Sequence, residues 1–243
     1  KQLRAAINHR YGVEVDAQKY LDKFLKYSFA LPDKVVARFE EERALVSVEY
    51  FKQLVRNSRM ASELRVLINE CFQIIDFISD MIERNNISLR ETERLVRFLE
   101  IYHSLSGGLN NSVYPCLLLR ITGVFIFCFH PNLIDDINKN RTDAKDFARL
   151  FNLHSMPSMS TDDYSPSYAD IIAVMLIIYS NSRDASFTFI ESQQQEIWER
   201  YINKYFLENS YISLHKSLPP GIAGILSILK ETFQVLNLEQ TPQ

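Results

Sequence analysis

Ser88-Leu89-Arg90-Glu91 is where this sequence comes closest to chemistry. Ser-x-x-Glu is the pattern of a capping box: the serine oxygen accepts from the glutamate's backbone N–H, and the carboxylate reaches back to the serine N–H. That structural reading accounts for Ser88 and Glu91 and leaves Arg90 unexplained. A cation in the first helical turn opposes the helix dipole, at a cost of roughly 0.3–1 kcal/mol. Two readings of Arg90 follow. An anion such as a nucleotide phosphate would be held by the guanidinium and the helix N-terminus together. Otherwise Arg90 is a solvated side chain whose stem lies over apolar surface. Arg94, one turn on, could face the same way, although a pair with a neighbouring glutamate would suit it equally well.

The sequence lacks the other common catalytic patterns. None of its six glycines is followed by Lys, so it has no G-x-x-x-x-G-K-[ST] phosphate cradle. It contains neither G-x-S-x-G nor H-E-x-x-H. The two closest histidines, His130 and His154, are 24 residues apart, which leaves no local ligand pair or triad spacing. Cys71, Cys116 and Cys128 are widely spaced, without a C-x-x-C, so no metal site is expected. Their apolar surroundings predict buried thiols in a reducing compartment. Val124–Phe129, followed by Asp135-Asp136, faintly resembles an apolar strand ending in acids. His130 and Pro131 intervene, and the helical period favours a buried helix with a solvated acidic end.

The elements that must position these residues read as helical. Six glycines and eight prolines in 243 residues are too few for a β-sandwich or a Gly-rich phosphate fold. The fold class is therefore mainly α. Short helices are predicted over 2–10 and from Asp16 through Leu25. Tyr27–Leu31 alternates, is closed by Pro32, and is the best strand. Helices are expected over 34–45, 47–57, 60–84, 88–106, about 113–138, 142–152, 167–181, 188–206 and 222–237. Glu40-Glu41-Glu42-Arg43 reads as a wet helix face, Trp198 as packing, and Ser155–Ser167 as a loop. Ser106–Asn111, with Gly107-Gly108, is the clearest break and a candidate subdomain boundary. The net charge of −3 gives no global pull toward nucleic acid or anionic membrane. The most apolar stretch, Ile121 to Ile134, falls short of the roughly 20 residues that span a bilayer. With no initiator Met and a helical pattern already under way at Lys1, the chain reads as an excised or processed piece.

Two stretches resemble the KAP family of P-loop NTPases, relatives of the AAA+ and STAND ATPases. The first runs from Lys1-Gln2-Leu3-Arg4 through Tyr20-Leu21-Asp22-Lys23-Phe24 to Phe29-Ala30-Leu31-Pro32. It is similar to the family's helix, "YL-x-KF" helix and "F-x-LP" strand at the end of the nucleotide-binding core. The second, Ile87–Leu95, is similar to the family's "SPRE-x-x-R" element at the start of a lid helix, with Leu89 standing where Pro is frequent.

The resemblance implies a division into a tail of an α/β P-loop core (1–32), a helical lid (33–108) and a C-terminal helical domain (109–243). It implies Arg90, with Arg94 as a secondary candidate, as nucleotide-binding sensor residues, and no catalytic residue in this chain. Walker A, Walker B and sensor 1 would precede Lys1, and ATP and Mg would be held by the intact parent. That parent would be an ATPase, cytoplasmic or membrane-associated on the cytoplasmic face through parts outside this chain, with phage exclusion among the bacterial roles. Its partners would be the upstream core and a protein or a second copy, with no nucleic acid. The rival expectation is a non-enzymatic helical interaction module whose apolar stripes bind a partner.

Overall fold

The computed structural model describes residues 34–36, 43–58, 72–106, 109, 114–159, 166–178, 180, 187–189, 191–203 and 222–238. The resemblance-bearing segment 1–32, its strand Tyr27–Leu31, Cys71 and Gly107-Gly108 lie outside the described residues.

The described chain is mainly helical. Its nine described helices are α1 (Val46–Asn57), α2 (Phe72–Arg84), α3 (Leu89–Leu105), α4 (Tyr114–Phe129), α5 (Pro131–Asn138), α6 (Ala144–Leu150), α7 (Tyr168–Ile178), α8 (Ser192–Ile202) and α9 (Ile222–Leu238). A short antiparallel pair precedes them: β1 (Lys34–Val36) and β2 (Arg43–Leu45), with Val35 opposite Ala44. The helix expected over 34–45 is thus not formed. Adjacent β-branched Val35 and Val36 favour extended backbone.

Pattern and packing agree along α2, where Ile74, Phe77, Ile78, Met81 and Ile82 are all buried. Their i, i+3, i+4, i+7, i+8 spacing is one face of a helix. In α4, by contrast, every side chain from Cys116 to Cys128 except Arg120 is buried, as befits a helix enclosed by others. It packs on α2, α3, α5 and α9. The single long helix expected from 113 to 138 is broken at His130 (φ −129°, ψ 60°), and Pro131 opens α5. Proline has no N–H for the i−4 carbonyl and pushes its predecessor out of the helical region.

Three helices stop in the same way. Asn86, Asn140 and Asn152 have φ of 50°, 53° and 52°. In each case the following N–H closes on a carbonyl five residues back: Ile87 on Ile82, Arg141 on Asp136, Leu153 on Ala148. This is the Schellman closure, with asparagine as the left-handed residue that glycine more often supplies.

One buried cluster runs from Val48 to Leu236, so segments 33–108 and 109–243 share a core. Helix α3 packs on both α4 and α9. Beyond the Ser106 break, buried Leu109 donates its N–H to His103 Nδ1 at 3.0 Å. Polar clasps fix the periphery. Arg84 Nε donates to Asp80 at 2.6 Å, and its Nη1 lies 2.8 Å from Asp170. Burial opposes that guanidinium's charge, but the two carboxylates outweigh it and raise the pKa. Gln194 holds both the N–H and the C=O of Met159, and Trp198 Nε1 donates to Pro157 O at 2.8 Å. Trp198 is buried against the core, as its apolar neighbours predict. No helix among the described residues is long and apolar enough to cross a membrane.

Candidate functional site

The start of α3 is built as its sequence reads. Ser88 is extended (φ −74°, ψ 164°), and its Oγ accepts from Glu91 N at 3.4 Å while Ser88 N donates to Glu91 Oε2 at 2.9 Å. The Ser88 hydroxyl and backbone bonds, with Arg94 adding a smaller attraction, hold the Glu91 carboxyl below the usual range. The capping box therefore occupies Ser88 and Glu91 and leaves Arg90 outside it.

Arg90 is the second residue of α3, is exposed, and has no ion pair or hydrogen bond with any described residue. Glu93, the acid one turn on from Arg90, is engaged elsewhere, as is Glu100 further along the helix. Glu93 accepts from the Tyr50 phenol, and Glu100 from Ser58 Oγ, both on or beside α1. Arg94 is exposed too, but differently directed. Its Cζ lies 5.7 Å from the centroid of the Phe98 ring, a cation–π contact. Arg94 lines an open cleft of ≈430 Å³ between α3 and the α4–α5 break, and Arg90 does not. The two predicted arginines are thus not brought into one pocket. Arg97 completes an exposed i, i+4, i+7 stripe with them, within a roughly 60° arc at 100° per residue. Sequence reasoning passed over Arg97, although that spacing was there to be read. The placement of Arg90 relative to 1–32 lies outside the described residues.

His130 stands at the break between two clefts. On one side are Glu91 and Arg94; on the other, a cleft of ≈330 Å³, are Asp136, Asp146 and Arg149. Its ring is 6.0 Å from that of Phe125, and burial lowers its pKa below the ordinary value of 6.5. The fold therefore favours neutral imidazole. Its contribution to stability is complete above pH 6.5 and is lost as pH falls through the folded value, because the unfolded chain takes the proton first. Denaturant midpoints should drop between pH 7.5 and about 5.5 and should drop less in His130→Asn. Glu91 and Asp135, both held low, lose their contributions only below about 4.5, outside this window.

Neither described thiol is suited to nucleophilic chemistry. Cys116 and Cys128 are free and buried, and burial pushes Cys128 up to about 12. Buried His103 spends Nδ1 on the Leu109 N–H. Among the described residues no three His, Cys, Asp or Glu side chains gather as a metal site would require. No family model, curated protein or solved structure matches this chain significantly. The geometry at α3 thus stands on its own: an exposed cation with no partner among the described residues, on a capped helix start beside a cleft with mixed charge.

Proposed function

We propose that this chain is the lid and C-terminal helical region of a KAP-type P-loop ATPase, in which Arg90 is offered to the nucleotide's phosphates and couples nucleotide state to a protein partner. The observation that carries the reading is Arg90: an exposed cation in the first turn of α3, against the helix dipole, without a partner among the described residues. An anion bound there restores what the dipole opposes, and a guanidinium fork matches phosphate oxygens. Arg94 remains the secondary contact, its guanidinium turned toward the cleft by Phe98. ATP and Mg would be held by a core preceding Lys1, where a G-x-x-x-x-G-K-[ST] and an apolar strand ending in Asp-Asp are expected. The sequence upstream of Lys1 tests this directly, and absence of that pattern removes the reading.

The 243-residue chain by itself is expected neither to hydrolyse ATP nor to bind it tightly, since its sequence encodes no phosphate cradle. Titration calorimetry checks this; submicromolar ATP binding by the chain alone contradicts it. The rival reading, a module that binds partners through apolar stripes, finds less support. The stripes of α2, α3 and α4 are spent in the chain's own core, and Leu105 is the one large hydrophobic side chain well exposed among the described residues.

A further inference from the structure

The cleft between α3 and the α4–α5 break has a charge pattern of its own. Arg94 and Glu91 both line it, one helical turn apart. They attract one another, since Arg94 helps hold the Glu91 carboxyl low, yet no ion pair joins them. Each is fixed from behind. Phe98 supports the guanidinium, and Ser88 donates its N–H and O–H to Glu91 Oε2. Glu91 Oε1 and the Arg94 N–H groups have no hydrogen-bond partners among the described residues. The rest of the lining is mixed, with Ile87, Phe127, Phe129 and Pro131 supplying apolar surface beside Asn85, Cys128 and His130. Ile87 and Phe127 are mostly buried, and Phe98 tilts against Phe127 with centroids 5.4 Å apart, so this apolar surface is packed in place.

A simple anion would meet Arg94 but be repelled by Glu91, and a simple cation would meet the reverse. A molecule carrying both charges on adjacent atoms, with an apolar body, satisfies all three features. We infer that this cleft binds a zwitterionic α-amino acid with an aromatic or large apolar side chain: carboxylate on Arg94, ammonium on Glu91, side chain against Phe127, Phe129 and Pro131. A cleft of ≈430 Å³ falls within the range of small-molecule sites. The inference goes beyond the nucleotide reading and does not depend on it: ATP and Arg90 take no part, and Arg94, the secondary contact in that reading, serves the amino acid's carboxylate here.

Three probes decide it, the second and third each lacking one charged group of the first: L-phenylalanine, 3-phenylpropanoate and phenethylamine, titrated into the 243-residue chain by calorimetry. Saturable binding of L-phenylalanine is expected, with each of the others weaker by at least about tenfold. Arg94→Ala and Glu91→Gln should each weaken L-phenylalanine by a similar factor, whereas Arg90→Ala should leave it unchanged. Glutamine can still serve the capping box, so Glu91→Gln tests charge without removing the cap. Should Arg94→Ala fold poorly by circular dichroism, Arg94→Lys takes its place and should bind more weakly than wild type, because an ammonium lacks the planar fork. 3-Phenylpropanoate binding as well as L-phenylalanine, indifference to Glu91→Gln, or no saturable binding would each overturn the inference.

Discussion

In an intact protein carrying the proposed core, Arg90→Ala is expected to lower ATP turnover roughly 30- to 1,000-fold, a loss of about 2–4 kcal/mol of transition-state stabilisation. The size follows from the role: a preorganised charge aimed at a phosphoryl group acts where charge develops. Fold stability should stay the same or rise slightly, because a cation leaves the N-terminal turn of α3 and Arg90 has no bond to lose among the described residues. Arg90→Lys should recover only part of the rate. Arg97→Ala is the control, since Arg97 shares the exposed stripe but lies two turns away. If Arg97→Ala slows turnover equally, Arg90 acts through general surface charge and the sensor role fails. Measured turnover and thermal midpoints for the three variants separate these outcomes.

How far the fold could be read depended on whether the deciding term was local. The start of α3 was legible because a capping box is settled within four residues, and Ser88 and Glu91 form it. The stripe of α2 was legible because one face suffices to describe it. The break at His130 was missed because apolar residues continue on both sides of it, and Pro131 was set against a strand rather than against helix continuity. The pairing of β1 with β2 was missed because the charges of 34–45 also suited a solvated helix face. The ends at Arg84, Asn138 and Leu150 were legible to within two residues although no glycine marks them; the left-handed asparagines that close them, Asn86, Asn140 and Asn152, were not singled out. At the candidate site, Arg90 could be singled out from its conflict with the dipole. The divergence of Arg94 from Arg90 could not, since it depends on Phe98 and on a cleft made by a distant helix break.

The same division between local and distant terms sets the largest stability effect expected. Gly123 lies in the middle of α4, where glycine costs about 1 kcal/mol relative to alanine on propensity alone. Locally, then, replacement should help. Packing reverses the sign, because a Cβ at Gly123 would fall 2.9 Å from Thr232 Cγ2 and 3.0 Å from Thr232 Cβ on α9. Thr232 is fully buried and cannot readily turn away, because its Oγ1 donates to Ile228 O at 2.8 Å. Relief therefore requires α9 to move off α4, at the centre of the shared core. Gly123→Val is expected to cost about 3 kcal/mol or more, the upper range for overpacking, and to lower the thermal midpoint by roughly 6–12 °C. Gly123→Ala should cost less, perceptibly offset by the helix propensity it gains. In a Thr232→Ser background, which removes Cγ2 and keeps the hydroxyl, Gly123→Ala should cost less again, with a coupling of about 0.5–1 kcal/mol in a double-mutant cycle. Additive losses would mean that Gly123 is dictated by something other than the approach of Thr232.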